Sequence, residues 1–203
     1  MNQQFIIFDV GANNGKTFLH HAIDGHRIYA FEPTPKLIGD IKEWLHPNIF
    51  PNYKLIEKAV SLENGKTIFN IAGQGDWGCS SILEFSDNLD ATWAGRTDFK
   101  VTEQIEVETI RLDTFIEQSG NISHISYLHI DTQGHDLAAI KSLGKYIGIV
   151  QAGCVEVPQS KDVQLYKGQH TKEEMMDFLS QNGFVIKNIE HQMNEDNLYF
   201  ERA

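Results

Sequence analysis

The segment Phe5-Ile-Ile-Phe-Asp9, followed at once by Val-Gly-Ala-Asn-Asn-Gly15, narrows the fold more than any other part of the chain. An unbroken apolar run of this length reads as a strand covered on both faces, which is the situation of a parallel sheet. Gly11 and Gly15 let the backbone behind it turn tightly and come close to a ligand. A helix is expected from about residue 14 to residue 23, with Gly25 where a helix commonly ends. The start of such a helix offers unbonded N–H groups and partial positive charge. Residues 27–31 form the next apolar run, and Thr34-Pro35 supplies a capping hydroxyl and a first-turn proline. Leu37, Ile38, Ile41, Trp44 and Leu45 give the following helix one apolar face, and residues 54–60 read as a third strand. Strand and helix in alternation predict an α/β fold built on a parallel sheet.

The alternation then breaks. Asn64-Gly65 is the preferred type I′ hairpin dipeptide, and residues 67–71 continue as a strand. A glycine-containing polar loop spans 73–81, and 104–112 reads as an exposed or edge strand. Residues 62–112 are therefore expected to be an insertion with a hairpin and a loop inside one domain of 1–203, since neither half could bury a core alone. Alternation resumes with a strand at 125–131, a helix carrying Leu137, Ile140 and Leu143, and a strand at 148–157. Thr171-Lys-Glu-Glu174 matches a capping box opening a helix toward Gly183. Residues 184–189 and 198–201 lie close enough to pair as an antiparallel hairpin.

A chain of 203 residues with 41% hydrophobic and 22% charged residues can bury an ordinary globular core. It has no apolar run near the roughly eighteen residues a membrane span needs, and no basic-then-apolar leader. A cytoplasmic protein is expected, with Cys79 and Cys154 as reduced packing residues. The formal charge of −11 argues against nucleic acid as partner and leaves neutral, cationic or sugar ligands open.

Three ligands compete for the first loop. A dinucleotide site wants G-x-G-x-x-G, but Asn13 stands at the middle glycine. A P-loop wants G-x-x-x-x-G-K-S/T. Gly15-Lys16-Thr17 supplies its end, while Val10 occupies its first glycine; Asp131 would imitate the magnesium-binding acid. The third ligand is S-adenosylmethionine, whose amino-acid and ribose parts suit a D-x-G-x-N-x-G loop without a pyrophosphate pocket. Glu32, ending the second strand about 20 residues past the loop, stands where a carboxylate accepts both ribose hydroxyls.

Four segments together resemble the FkbM-type methyltransferases, S-adenosylmethionine-dependent O-methyltransferases of the Rossmann-like class. They are Asp9-Val-Gly-Ala-Asn-Asn-Gly15, Phe31-Glu-Pro-Thr-Pro35, His129-Ile-Asp-Thr-Gln-Gly-His-Asp136 and Val155-Glu-Val157; Glu57-Lys-Ala-Val-Ser61 and Leu165-Tyr-Lys-Gly168 are weaker matches. The resemblance implies a seven-stranded sheet with its last strand antiparallel. It implies that Asp9, Gly11, Asn13 and Gly15 surround the methionine end of the cofactor, that Glu32 takes the ribose, and that Val60 and Ser61 lie beside adenine. One departure is Gln133, where the family more often has glutamate.

Methyl transfer to a hydroxyl needs an aligned acceptor and a group to take its proton. His135 and Asp131, just past the fourth parallel strand, are the candidates for that role. Glu156 interrupts an apolar strand, so it needs a partner: a substrate hydroxyl, Lys161 or a backbone amide. Tyr166 and His170 follow in a loop that could face the acceptor, and Asp76, Trp77, Ser80 and Ser81 form a loop suited to a sugar or an adenine face. His129 reads as structural, and no histidine spacing points to a metal. The expected function is methylation of a hydroxyl on a sugar or other small molecule. A P-loop-like NTPase and a non-catalytic cofactor-binding protein are the alternatives.

Overall fold

The computed structural model describes residues 4–73, 77–96 and 99–203. Its main sheet contains β1 (Ile6–Val10), β2 (Arg27–Phe31), β3 (Tyr53–Ile56), β7 (Tyr127–Ile130), β8 (Ala152–Pro158), β9 (Phe184–His191) and β10 (Glu195–Arg202), in the order β3-β2-β1-β7-β8-β10-β9. β10 runs antiparallel to both β8 and β9, while the pairs from β3 to β8 are parallel. This is the seven-stranded sheet with an antiparallel last strand that the sequence led us to expect. A second sheet has the order β4-β6-β5, from β4 (Ala59–Val60), β5 (Gly65–Ala72) and β6 (Val101–Ile110).

Period-two alternation in the fully buried strand β1 sends Ile6, Phe8 and Val10 to one face and Ile7 and Asp9 to the other. The first face packs under α4 (Leu112–Ser119), α5 (Asp136–Lys141) and α6 (Lys172–Gln181), against Phe115, Ile116, Ile140, Met175 and Leu179. The second meets α1 (Leu19–Ile23) and α2 (Pro35–Trp44) through Ala22, Ile41 and Leu45. Each large apolar side chain sealed in these layers contributes about 1.5–3 kcal/mol. The Thr171 capping box forms as read, with Thr171 Oγ1 accepting from the Glu174 amide at 3.2 Å and Glu174 Oε2 from the Thr171 amide at 2.7 Å.

Four sequence expectations are corrected. The helix expected from residue 14 begins only at Leu19, because Asn13 (φ 50°) and Gly15 (φ 71°) are left-handed and break the helical path. The third strand is divided at Glu57 and Lys58, which pair with Lys42 and Glu108 while the chain passes from one sheet to the other. Asn64-Gly65 does not turn a hairpin. β4 and β5 lie on opposite sides of β6, and the Asn64 side chain instead accepts from the Arg111 amide and donates to Thr114. Residues 144–149 coil as a 3-10 helix, so β8 starts at Ala152.

Strand order carries the consequence for function. The chain moves outward from β1 through β2 to β3, then returns to place β7 on the other side of β1. The carboxyl ends of β1 and β7 thus flank the switch point where open α/β sheets bind ligands. Among the described residues no helix is long and apolar enough to cross a membrane.

Candidate active site

The loop after β1 is fastened to the end of β2. The amides of Gly11 and Ala12 both donate to the Phe31 carbonyl at 3.0 Å, and the Asn13 amide donates to Glu32 Oε2 at 2.8 Å. The Thr34 amide donates to Glu32 Oε1 at 2.8 Å. Thr34 does occupy the N-cap of α2, but its side chain does not bond the helix. The loop amides are therefore committed to β2 and Glu32, not offered by a helix start. The Thr34 side chain bonds this carboxyl as well.

Glu32 is 4% exposed. Burial raises its pKa to about 7 against the pull of Thr34 and Asn13, with the Asp9 charge adding to the rise. A carboxyl that holds its proton more tightly when folded stabilises the chain most below its ordinary value of 4.5, and that contribution is lost as pH rises to about 7.

Gly11, Asn13, Glu32, Val60, Trp77, Asp131 and His135 share one cavity, together with Thr34, Leu37, Lys58, Phe69, Ser80, Ile82 and Gln133. Its enclosed space is about 50 Å³, within an empty volume of about 530 Å³ that includes open solvent. Of the second group Ser80 and Gln133 were singled out in the sequence, while Phe69 and Ile82 carry no local signal, since remote pairing in the second sheet brings them here. His135 Nε2 lies 3.2 Å from Ser61 Oγ. Burial lowers the His135 pKa, which leaves a neutral ring near pH 7. Asp131 Oδ1 accepts from Gln133 Nε2 at 2.6 Å, and burial raises its pKa.

The other sequence candidates sit elsewhere. Asp9 is fully buried behind the loop, with Oδ1 2.8 Å from His129 Nδ1 and Oδ2 without a partner. Burial alone would lower the His129 pKa, but the bond to Asp9, the Asp9 charge and the nearby Asp131 and Asp136 carry it above its ordinary value. Gly15 packs against Tyr53, Ile41 and Leu45, away from the cavity. Lys16 lies over the Trp44 ring. Tyr166 is not an open loop residue: it is 1% exposed, stacked on Phe85, with its hydroxyl 2.7 Å from Gln133 Oε1 and 2.8 Å from the Cys79 carbonyl. Glu156 stands 3.3 Å from Gln133 Nε2, so it reaches the cavity only through that amide. His170 is buried beside a separate groove shared with His135, Gly134 and Lys141, and burial lowers its pKa to about 4. Asp76 lies outside the described residues.

Residues 9–186 match the methyltransferase FkbM domain. The chain belongs to the FkbM methyltransferase family. This FkbM-family fold is similar to magnesium protoporphyrin IX methyltransferase of Synechocystis with bound S-adenosylmethionine, at 12% identity and a TM-score of 0.51 over 98% of this chain and 71% of that one. It is similar to precorrin-6y C5,15-methyltransferase of Geobacter metallireducens, at 10% identity and a TM-score of 0.51 over 99% and 81% of the two chains. Aeropyrum pernix fibrillarin with natively bound S-adenosylmethionine is a third, at 11% identity and a TM-score of 0.53 over 97% and 66%. No curated protein matches the sequence. The family and the fold are those of S-adenosylmethionine-dependent methyltransferases.

Proposed function

We propose that this chain methylates a hydroxyl of a small molecule such as a sugar, using S-adenosylmethionine. The observation that carries the reading is the Glu32 carboxylate, held by two backbone amides, in a cavity that Asp131 and His135 also line. A carboxylate oriented in this way suits a pair of ribose hydroxyls. Gly11 and Asn13 would lie at the methionine end, and Val60 with Phe69 and Trp77 at adenine. When bound, the cofactor supplies an activated methyl group and a neutral thioether leaving group.

The chain's own residues then have two tasks. Positioning the acceptor in line with the methyl carbon lowers the barrier by removing the entropy of encounter. The neutral His135 ring, at Nε2, takes the hydroxyl proton, while Asp131 orients the acceptor through its second oxygen. A net charge of −11 supports a small-molecule acceptor over a nucleic acid, although fibrillarin and the rRNA methylase of Streptococcus thermophilus share the fold.

Glu32→Ala should weaken S-adenosylmethionine and S-adenosylhomocysteine binding by about 1–3 kcal/mol in calorimetry, as expected for losing a charge-assisted pair of bonds. In the wild type the affinity should rise as pH passes about 7 and Glu32 ionises, a slope that Glu32→Gln should lack. The acceptor class is tested by S-adenosylhomocysteine release over a panel of sugars, catechols, amines and short RNAs. Turnover confined to hydroxyl compounds supports the reading; methylation of amines or RNA alone overturns it.

A further inference from the structure

Gln133 stands where four segments of the chain meet. Its backbone is left-handed at φ 56°, a region that side chains other than glycine rarely occupy, and Gly134 follows at φ 88°. Three contacts from outside the loop hold it there. Ser81 Oγ donates to its carbonyl at 2.6 Å, the Tyr166 hydroxyl lies 2.7 Å from Oε1, and Nε2 lies 3.3 Å from Glu156 Oε2. The same Nε2 is 2.6 Å from Asp131 Oδ1. With Tyr166 donating to Oε1, the amide spends both its hydrogens on two carboxyl groups that end neighbouring strands.

An ionised glutamate would not do the same work in this place. It has no hydrogen to give when ionised, and it would add a charge between Asp131 and Glu156. The surroundings are already acidic. Burial holds the carboxyls of Asp131, Asp136, Glu156 and Glu195 above their usual range, and their mutual repulsion adds to it. His129 works the other way on Asp131 from β7, and Arg96 on Glu195 from the loop before β6. Asp9 also acts on Asp131, Cys154 lies near Glu156 and Asp131, and His135 and Tyr166 stand beside the amide.

We propose that Gln133 is a positioning residue for the acceptor side of the cavity, its amide fixing Asp131 and Glu156 as an oriented pair of oxygen acceptors for a neutral hydroxyl compound. In its kinetic consequence the inference rests on the methyl-transfer reading above; in its structural consequence it does not.

The experiment compares wild type with Gln133→Ala and Gln133→Glu, using carbon-13 carboxyl NMR titration of Asp131 and Glu156, calorimetry with S-adenosylhomocysteine, and methyl transfer to the best hydroxyl acceptor of the panel. In Gln133→Ala both carboxyls should titrate at least about half a unit higher, having lost a donor to the charged form. Cofactor affinity should stay within about threefold while kcat falls about tenfold or more, the effect of misplacing a reacting group. Gln133→Glu should recover activity as pH is lowered, because the added carboxyl then carries a hydrogen to donate; a residue that merely filled space would not show this. Unchanged carboxyl titrations in a cooperatively folding Gln133→Ala chain overturn the proposal, as does a wild-type pH profile in Gln133→Glu. If Gln133→Ala does not fold, Gln133→Asn, with an amide too short to reach both partners, takes its place with the same expected shifts. Failure of the wild type to bind S-adenosylhomocysteine would remove the methyl-transfer reading, while the carboxyl titrations still decide the pairing.

Discussion

A Gly11→Ala chain is expected to lose S-adenosylmethionine binding and about 3 kcal/mol or more of stability. Gly11 has φ +87°, and a Cβ there would lie 1.8 Å from the Asp131 carbonyl oxygen and 2.7 Å from its carbon. Both atoms are backbone at the end of β7, so no side chain can swing away. Relief requires either the loop or the end of β7 to move. Moving the loop breaks the bonds from Gly11 and Ala12 to Phe31 and from Asn13 to Glu32. Moving β7 displaces Asp131. Gly25→Ala is the control: its φ is +83°, yet a Cβ there meets nothing within 4 Å. It should lose only the conformational term of about 1–2 kcal/mol. Chemical denaturation of the two variants measures the difference, and equal losses would mean that the close approach of β1 and β7 is not as described.

His135→Ala is expected to leave cofactor binding within about twofold while lowering methyl transfer about 10²–10⁴-fold, the usual contribution of a general base. The ring sits at the start of α5 and lines the same cavity as Glu32, with Ser61 as its hydrogen-bond partner. It makes none of the contacts that hold Glu32 or the first loop, so the loss should fall on kcat. A neutral buried ring also predicts that kcat at saturating cofactor falls as pH drops below the lowered His135 pKa, a limb that the alanine variant should lack. An equal fall in cofactor affinity and turnover would assign His135 to binding.

Local pattern was enough for some of this architecture and blind to the rest. The apolar runs of β1 and β2, the Thr171 box and the β9–β10 hairpin are dictated by neighbours in sequence, and each is close to where the sequence placed it, although β10 begins at Glu195 and not at 198. Leu112, Phe115 and Ile116, with Gly120 left-handed behind them, carried a helix signal of the same kind that went unread. Asn64-Gly65 misled because turn propensity is a local preference, and here Arg111 and Thr114 claim the asparagine. The side-chain network was out of reach for a different reason. Gln133 touches Glu156 and Tyr166 across 23 and 33 residues of sequence, and Ser81 across 52, so only strand order brings them together. The family resemblance flagged Gln133 as a departure, yet the two carboxyls that make an amide fitting there became visible only in the folded chain.

The central claim is that the cavity lined by Glu32 and His135 holds the methyl donor. Calorimetric titration of the folded chain with S-adenosylmethionine and S-adenosylhomocysteine tests it most directly. The predicted result is saturable binding of both at one site, each competing with the other and each weakened by Glu32→Ala. Absence of binding by either in folded protein, or an affinity indifferent to Glu32→Ala, would contradict it.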